Sequence, residues 1–190
     1  MFPDYSFDEM TNMAGDAEVG SEGLIFLPYL NGERTPHPNP DARGVFFGLS
    51  IRHGRSEIIR SVMEGVTYSL RETIEILREK GILVNEVIAS GGGAASKLWR
   101  QIQADVFKVK VITTNVKEAP ATGAAMLAAV GAGAFTDLEE AAKYVVKRET
   151  ITEPDPEHMN YYDKYYSIYQ SLYPNLEKSW ENLAKAVHIR

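Results

Sequence analysis

The 190-residue chain has no cysteine. That excludes a disulfide framework and any thiolate zinc site. Only four histidines occur, His37, His53, His158 and His188, and their separation fits no metal-ligand spacing, so no metal site is expected. No apolar run approaches the about 18 residues of a membrane helix, and no membrane association is expected. Positive charge is also short. Twenty Lys and Arg against 26 Asp and Glu give a net charge of -6, which argues against nucleic acid or an anionic bilayer as partner. A local basic pocket for phosphates remains compatible with it. The opening MFPDYSFDEM is acidic and aromatic rather than a signal peptide, so a cytoplasmic location is the expectation. What remains is 44% hydrophobic and 24% charged, an ordinary globular composition.

What the chain does have is punctuation. Residues 1–22 read as a polar lead-in with a helix at 7–14, and residues 23–30, GLIFLPYL, as a strand running into a loop at Pro28. The loop 31–44, NGERTPHPNPDARG, carries three prolines and the charges Glu33, Arg34, Asp41 and Arg43. Long loops in compact domains are often functional, and these charges either line a cleft or hold the loop through ion pairs. A strand follows at 44–50. Ser56 is then expected to cap the longest helix, Glu57 to Lys80. Its apolar stripe is Ile59, Val62, Met63, Val66, Leu70, Ile74 and Leu77, with Arg60, Arg71, Glu75 and Arg78 on the other side and Gly81 as the stop.

The second half alternates. A buried strand at 86–90 leads into a helix from Ser96 to Phe107, whose Leu98, Trp99, Ile102 and Val106 form one stripe. A strand at 109–114 precedes a helix of very small residues at 119–134, suited to close packing on a sheet. Another helix at 137–146 has Thr136 as its expected cap. EPDP at 153–156 is a break, and beyond it Tyr162, Tyr165, Tyr166, Tyr169 and Tyr173 fall at helical spacing, read as packing. The order predicts an α/β fold, a mixed sheet with helices on both faces.

One stretch asks for a reason: Gly91, Gly92 and Gly93 between an apolar strand and a helix. Ordering glycine is costly, and the usual justification is close approach to the backbone. A phosphate-binding P-loop is excluded, because no Gly-Lys-Ser/Thr occurs. The dinucleotide fingerprint is a near miss, and Thr114 and Asn115 stand where its ribose-binding acid belongs. A nucleotide lying on bare backbone, as in the actin-like ATPase fold of sugar kinases, fits. So does a bare turn with no ligand.

A second stretch bears on the choice. GVFFGLSIRHGRSEIIRSVME, residues 44–64, resembles the second signature of the FGGY carbohydrate kinases. Gly44, Phe46, Gly48 and Leu49 match its first half, and Glu57, Ile58, Ser61, Val62, Met63 and Glu64 its second. Residues 26–44, 90–107 and 120–129 continue the likeness, which covers most of 5–185 and leans to the xylulokinase branch. The resemblance implies an actin-like ATPase (ribonuclease H-like) domain over residues 23–190, the family's C-terminal, nucleotide-binding domain. Family chains are more than twice as long, so the resemblance also implies an absent N-terminal lobe that holds the sugar and the general base. Met1 is then a cut or an internal start.

Carried over by position, nucleotide-binding falls to Gly91, Gly92, Gly93 and Ser96, with Arg52 and Ser56 facing phosphate and ribose. Many members have asparagine where Ser96 stands. Glu33, Arg34, Asp41 and Arg43 form a candidate cleft loop, with no catalytic residue expected in this piece. ATP or ADP is the implied partner, with Mg²⁺ held mainly through the phosphates and the sugar reached through the missing lobe. D-xylulose is the implied acceptor; gluconate, ribulose or glycerol, or a nucleotide-binding module without catalysis, are the alternatives. A homodimer is compatible with all of these.

Overall fold

The structure, a computed structural model, describes residues 5–187. Helix α1 (Phe7–Gly15) begins where the Ser6 hydroxyl accepts the Glu9 N–H at 3.2 Å and the Glu9 carboxylate accepts the Ser6 N–H at 2.8 Å. Strands β1 (Ile25–Leu27) and β2 (Val45–Phe47) form a two-stranded antiparallel ribbon, Phe26 opposite Phe46. The long helix α2 (Arg55–Glu79) crosses close under β1. Gly65 makes that approach feasible, since a Cβ there would lie 2.1 Å from the Phe26 carbonyl oxygen.

The second sheet has three strands. β3 (Glu86–Ile88) pairs in parallel with β4 (Lys110–Thr114), which pairs antiparallel with β5 (Arg148–Thr152). The sheet is therefore mixed, as the alternation predicts. Helix α3 (Lys97–Phe107) joins β3 to β4, and α4 (Ala119–Gly131) and α5 (Leu138–Val145) join β4 to β5. The chain ends its described part in α6 (Pro156–Val187). The core is the space where α1, α2, α3, β1 and α6 meet, filled by Leu27, Tyr29, Met63, Tyr68, Ile102, Val106 and the stripe Tyr162, Tyr166, Tyr169 and Tyr173.

Several expectations need correction. The cap of α2 is Gly54, not Ser56; the Glu57 carboxylate accepts the Gly54 N–H at 2.7 Å and Ser56 lies inside the first turn. Asp137, not Thr136, caps α5 through the Glu140 N–H, while Thr136 donates to the Glu140 carboxylate. The stripe of α2 is rotated. Ile59, Met63 and Ile74 are buried, but Leu70 is 48% and Leu77 37% exposed, whereas Arg60 and Arg71 are buried. Each arginine has partners that make burial affordable. Arg60 donates to Glu64, to the Ala17 carbonyl and to the Tyr162 hydroxyl. Arg71 pairs with Glu75 and Asp163, its guanidinium 4.0 Å from the Tyr166 ring centre.

The strand expected at 86–90 is only three residues long and carries an exposed Ile88 at its end. Helix α4, expected to press on the sheet, buries none of its residues and contacts α5. β5, with the sequence RETIT, was not expected at all.

Candidate functional site

Parallel pairing of β3 and β4 brings the C-terminal ends of both strands to one edge of the sheet, where ligands of open α/β sheets collect. Gly91 to Gly93 leave β3 there, and Val116 to Glu118 leave β4. Between them lies an open groove of about 500 Å³, lined among others by Ser90, Gly91, Gly92, Thr114, Lys117 and Thr150.

The three glycines have three different reasons. Gly91 has φ +78°, the left-handed region that side-chain-bearing residues avoid. Gly93 faces the Trp99 ring, which a Cβ would meet at 3.0 Å. Gly92 has neither constraint: its φ is unexceptional and an added Cβ would have nothing within 4 Å. A turn without a ligand accounts for Gly91 and Gly93. It leaves Gly92 unexplained, and that residue lines the groove.

The turn is held from behind. Gly92–Ala95 make a short 3₁₀ turn, and the Ser96 hydroxyl then caps α3 by accepting the Trp99 N–H at 3.2 Å. The buried Arg100 guanidinium donates to the carbonyls of Ala94 and Ala95. Trp99 donates its indole N–H to the Thr67 hydroxyl at 3.1 Å, tying α3 to α2. The turn is therefore preorganised rather than shaped by a ligand.

Of the residues singled out from sequence, Gly91 and Gly92 meet in the groove, and Gly93 lines an adjoining apolar groove instead. Ser96 is engaged as a helix cap and lines neither groove. Arg52 is exposed in the turn before α2, its N–H on the Ser50 hydroxyl, and Ser56 is half-buried in α2; neither lines the glycine groove. Lys117 and Thr150 went unremarked in the sequence. Their signal is topological: Lys117 lies in the loop after the strand parallel to β3, and Thr150 shares a 2.6 Å hydrogen bond with Thr113 of that strand.

The charged loop sits elsewhere. Glu33 accepts the N–H groups of Arg34 and Thr35 at 2.6 and 3.1 Å and the Ser69 hydroxyl at 3.4 Å. Arg43 donates to the carbonyls of Pro40 and Ala42, and the Asp41 N–H goes to the Asn39 side chain. Among the described residues, no ion pair joins Glu33, Arg34, Asp41 and Arg43; backbone hydrogen bonds shape the loop. His37 stacks on Tyr173 of α6 at 3.7 Å between ring centres, with Nε2 3.4 Å from the buried Glu72. Burial, then the nearby Glu33, pushes the Glu72 carboxyl up to about 7, and burial lowers His37.

Residues 5–132 match the sequence model of the FGGY family of carbohydrate kinases, C-terminal domain. The chain is 42% identical over 163 residues to a xylulose kinase of Staphylococcus epidermidis, 86% of this chain and 33% of that protein. It is 38% identical over 134 residues to a gluconokinase of Bacillus subtilis, 70% of this chain and 26% of that one. Among solved structures, a ligand-bound xylulose kinase from Lactobacillus acidophilus superposes with a TM-score of 0.88 at 30% identity, covering 96% of this chain and 37% of that one. The chain thus spans about a third of the length of the curated relatives it matches.

Proposed function

The chain belongs to the FGGY family of carbohydrate kinases and has its actin-like ATPase fold, and from that premise we propose that it is the nucleotide-binding part of an ATP-dependent kinase acting on D-xylulose. In this reading the nucleotide-binding domain takes in residues 23–190 and also helix α1 before them, which packs into the same core instead of forming the separate lead-in expected over residues 1–22. The sugar and the general base belong to polypeptide beyond it. Xylulose is preferred because the first relatives are named xylulose kinases; a gluconokinase among them makes gluconate the next acceptor to test.

Gly92 carries the proposal. It is the one glycine of the turn for which the fold supplies no use, and it opens onto a groove at the ends of two parallel strands. A flat ligand can lie on bare backbone there, and the adenosine of ATP is such a ligand. The cradle that a Cβ would fill is the observation that fits the nucleotide to these residues. Mg²⁺ enters through the phosphates, whose transfer it assists by neutralising developing charge. This chain's own contribution is positional. Arg100 and the Ser96 cap hold the turn rigid, so little order has to be gained on binding. Lys117 offers a cation on the rim, where a phosphate tail can reach it.

Titration calorimetry of ADP into the chain tests this. Gly92→Val is expected to weaken ADP binding about tenfold or more, with the circular dichroism of the parent retained. Equal affinity in the two proteins overturns the assignment.

A further inference from the structure

Three arginines are buried among the described residues, and two of them have a counter-charge. Arg60 donates to the Glu64 carboxylate at 2.9 Å, and Arg71 lies 3.1 Å from Glu75 and 3.0 Å from Asp163. The third, Arg100, is 8% exposed, and no carboxylate among the described residues pairs with it. Its acceptors are the carbonyls of Ala94 and Ala95, and its Nε–H is buried with no acceptor at all. Neutral carbonyls do not cancel a guanidinium charge taken out of water. A buried ion without an opposite charge is costly, and an anion beside it offsets that cost.

Arg100 lines the open groove at the ends of β3 and β4, together with Lys117. Lys117 is exposed and makes no ion pair among the described residues. Helix α4 begins at the same groove. Glu118 is its N-cap, no side chain caps its first turn, and the positive end of the helix therefore faces the groove rim. Two acids also line the groove, Glu118 and Glu149. Both are exposed, where water and salt screen them. Arg100, being buried, is not screened in that way.

We propose that this end of the groove is an anion subsite that takes a phosphate group, with Arg100 and Lys117 as its cations and the first turn of α4 as its dipole. Two cations and a helix N-terminus match a polyanion with several acceptor oxygens better than a single carboxylate. The proposal goes beyond the nucleotide reading. It rests on that reading only where the phosphate is taken to be the nucleotide's own rather than a separate phosphate ion.

The test titrates pyrophosphate, adenosine and ADP separately into the 190-residue chain by calorimetry, and follows the arginine Nε–H signals by proton–nitrogen NMR. Pyrophosphate is expected to bind and to shift one of those signals, the one that Arg100→Gln removes. Arg100→Gln and Lys117→Ala are each expected to weaken pyrophosphate binding about tenfold. Lys117→Ala leaves adenosine affinity within about twofold, and Arg100→Gln weakens adenosine less than pyrophosphate. Equal losses for adenosine and pyrophosphate would mean that Arg100 only holds the turn, and would overturn the proposal. So would pyrophosphate that fails to bind at millimolar concentration, that leaves the Arg100 signal unmoved, or that binds both variants as it binds the parent. Lys117 is exposed, so its variant keeps the test decisive if Arg100→Gln fails to fold. Competition then sorts the source. ADP that displaces pyrophosphate marks the nucleotide's own phosphates, ADP that binds beside it marks a separate phosphate ion, and both results support the subsite. Pyrophosphate that binds while adenosine does not removes the nucleotide reading and leaves the subsite standing; adenosine that binds while pyrophosphate does not has the reverse effect.

Discussion

The two sides of α2 are built on opposite principles. On one side Glu64 is 1% exposed and accepts four hydrogen bonds: from the Gly20 N–H at 2.9 Å, the Ser21 hydroxyl at 2.8 Å, Arg60 at 2.9 Å and the Tyr162 hydroxyl at 3.0 Å. Every partner is committed, and the network ties the segment after α1, helix α2 and helix α6 together. On the other side Val66 and Leu70 look into an uncovered groove, next to a glycine turn whose middle residue has no packing role. The contrast separates two duties. Polar groups are buried and mostly paired on the closed side, while apolar surface and backbone are left open on the side where the ligand is proposed to lie. A fully satisfied polar network also specifies geometry, because few other arrangements satisfy it.

The strongest way to break this contrast is at Glu64. Glu64→Gln keeps the shape but sets an amide NH₂ among donors and leaves the Arg60 guanidinium buried without its counter-charge. Breaking a buried pair from one side costs about 3–5 kcal/mol. Urea unfolding of the chain and the variant measures it. A loss below about 1 kcal/mol would mean that the closed side is no more decisive than the open one.

The second concerns Glu72, on the same closed side but incompletely paired. Its Oε1 is 3.4 Å from His37 Nε2, while its Oε2 is buried without a hydrogen-bond partner. The carboxyl titrates near 7 in the folded chain against the usual 4.5. Between those values the folded state holds a proton that the unfolded state has released. Stability is therefore greatest below pH 4.5, falls as pH rises toward 7, and is level above it. The total is on the order of 3 kcal/mol. His37, lowered by burial from 6.5, contributes the opposite slope, losing stability as pH falls below that value. The measurement is thus a difference: unfolding free energy at pH 5 and pH 8 for the chain and for Glu72→Gln. The parent is expected to lose about 2 kcal/mol more than the variant over that span. Parallel profiles would show that the carboxyl ionises normally.

This division was only half legible in the sequence. Helices α3 and α6 could be read because their partners recur within a few residues: Ile102 and Val106 in one, Tyr162, Tyr166, Tyr169 and Tyr173 in the other. The glycine turn could be read because glycine has few uses. The closed side of α2 could not, since Arg60 is buried against Tyr162, 102 residues away, and Arg71 against the neighbouring Asp163 of α6. Local periodicity sees only the charge and assigns it to solvent. β5 was missed because RETIT carries charge and exposes most of its side chains at an edge. Helix α4 misled in the other direction: it is apolar all round, which normally marks a buried helix, yet none of its residues is buried. In the candidate site the glycines were visible, while Lys117 and Thr150 join it only through strand pairing.

The smallest expected effect is the one that sharpens the comparison most, because the two readings of α2 disagree on it. If the stripe through Val66, Leu70 and Leu77 were the core face, Leu70→Ala would open a cavity and cost about 2–5 kcal/mol. In the structure Leu70 is 48% exposed and borders the open groove beside β3. Truncation there removes little buried surface and leaves no enclosed void, and alanine is the better helix former by a few tenths of a kcal/mol. The expected loss is therefore below about 1 kcal/mol, within the range of surface substitutions away from special features. Ile74→Ala, one turn on and 8% exposed, supplies the internal standard at about 2–5 kcal/mol. Urea midpoints of both variants, at one pH and protein concentration, give the ratio directly. A Leu70→Ala loss matching that of Ile74→Ala in the isolated chain would mean that the groove is already filled, and the open side would not be open.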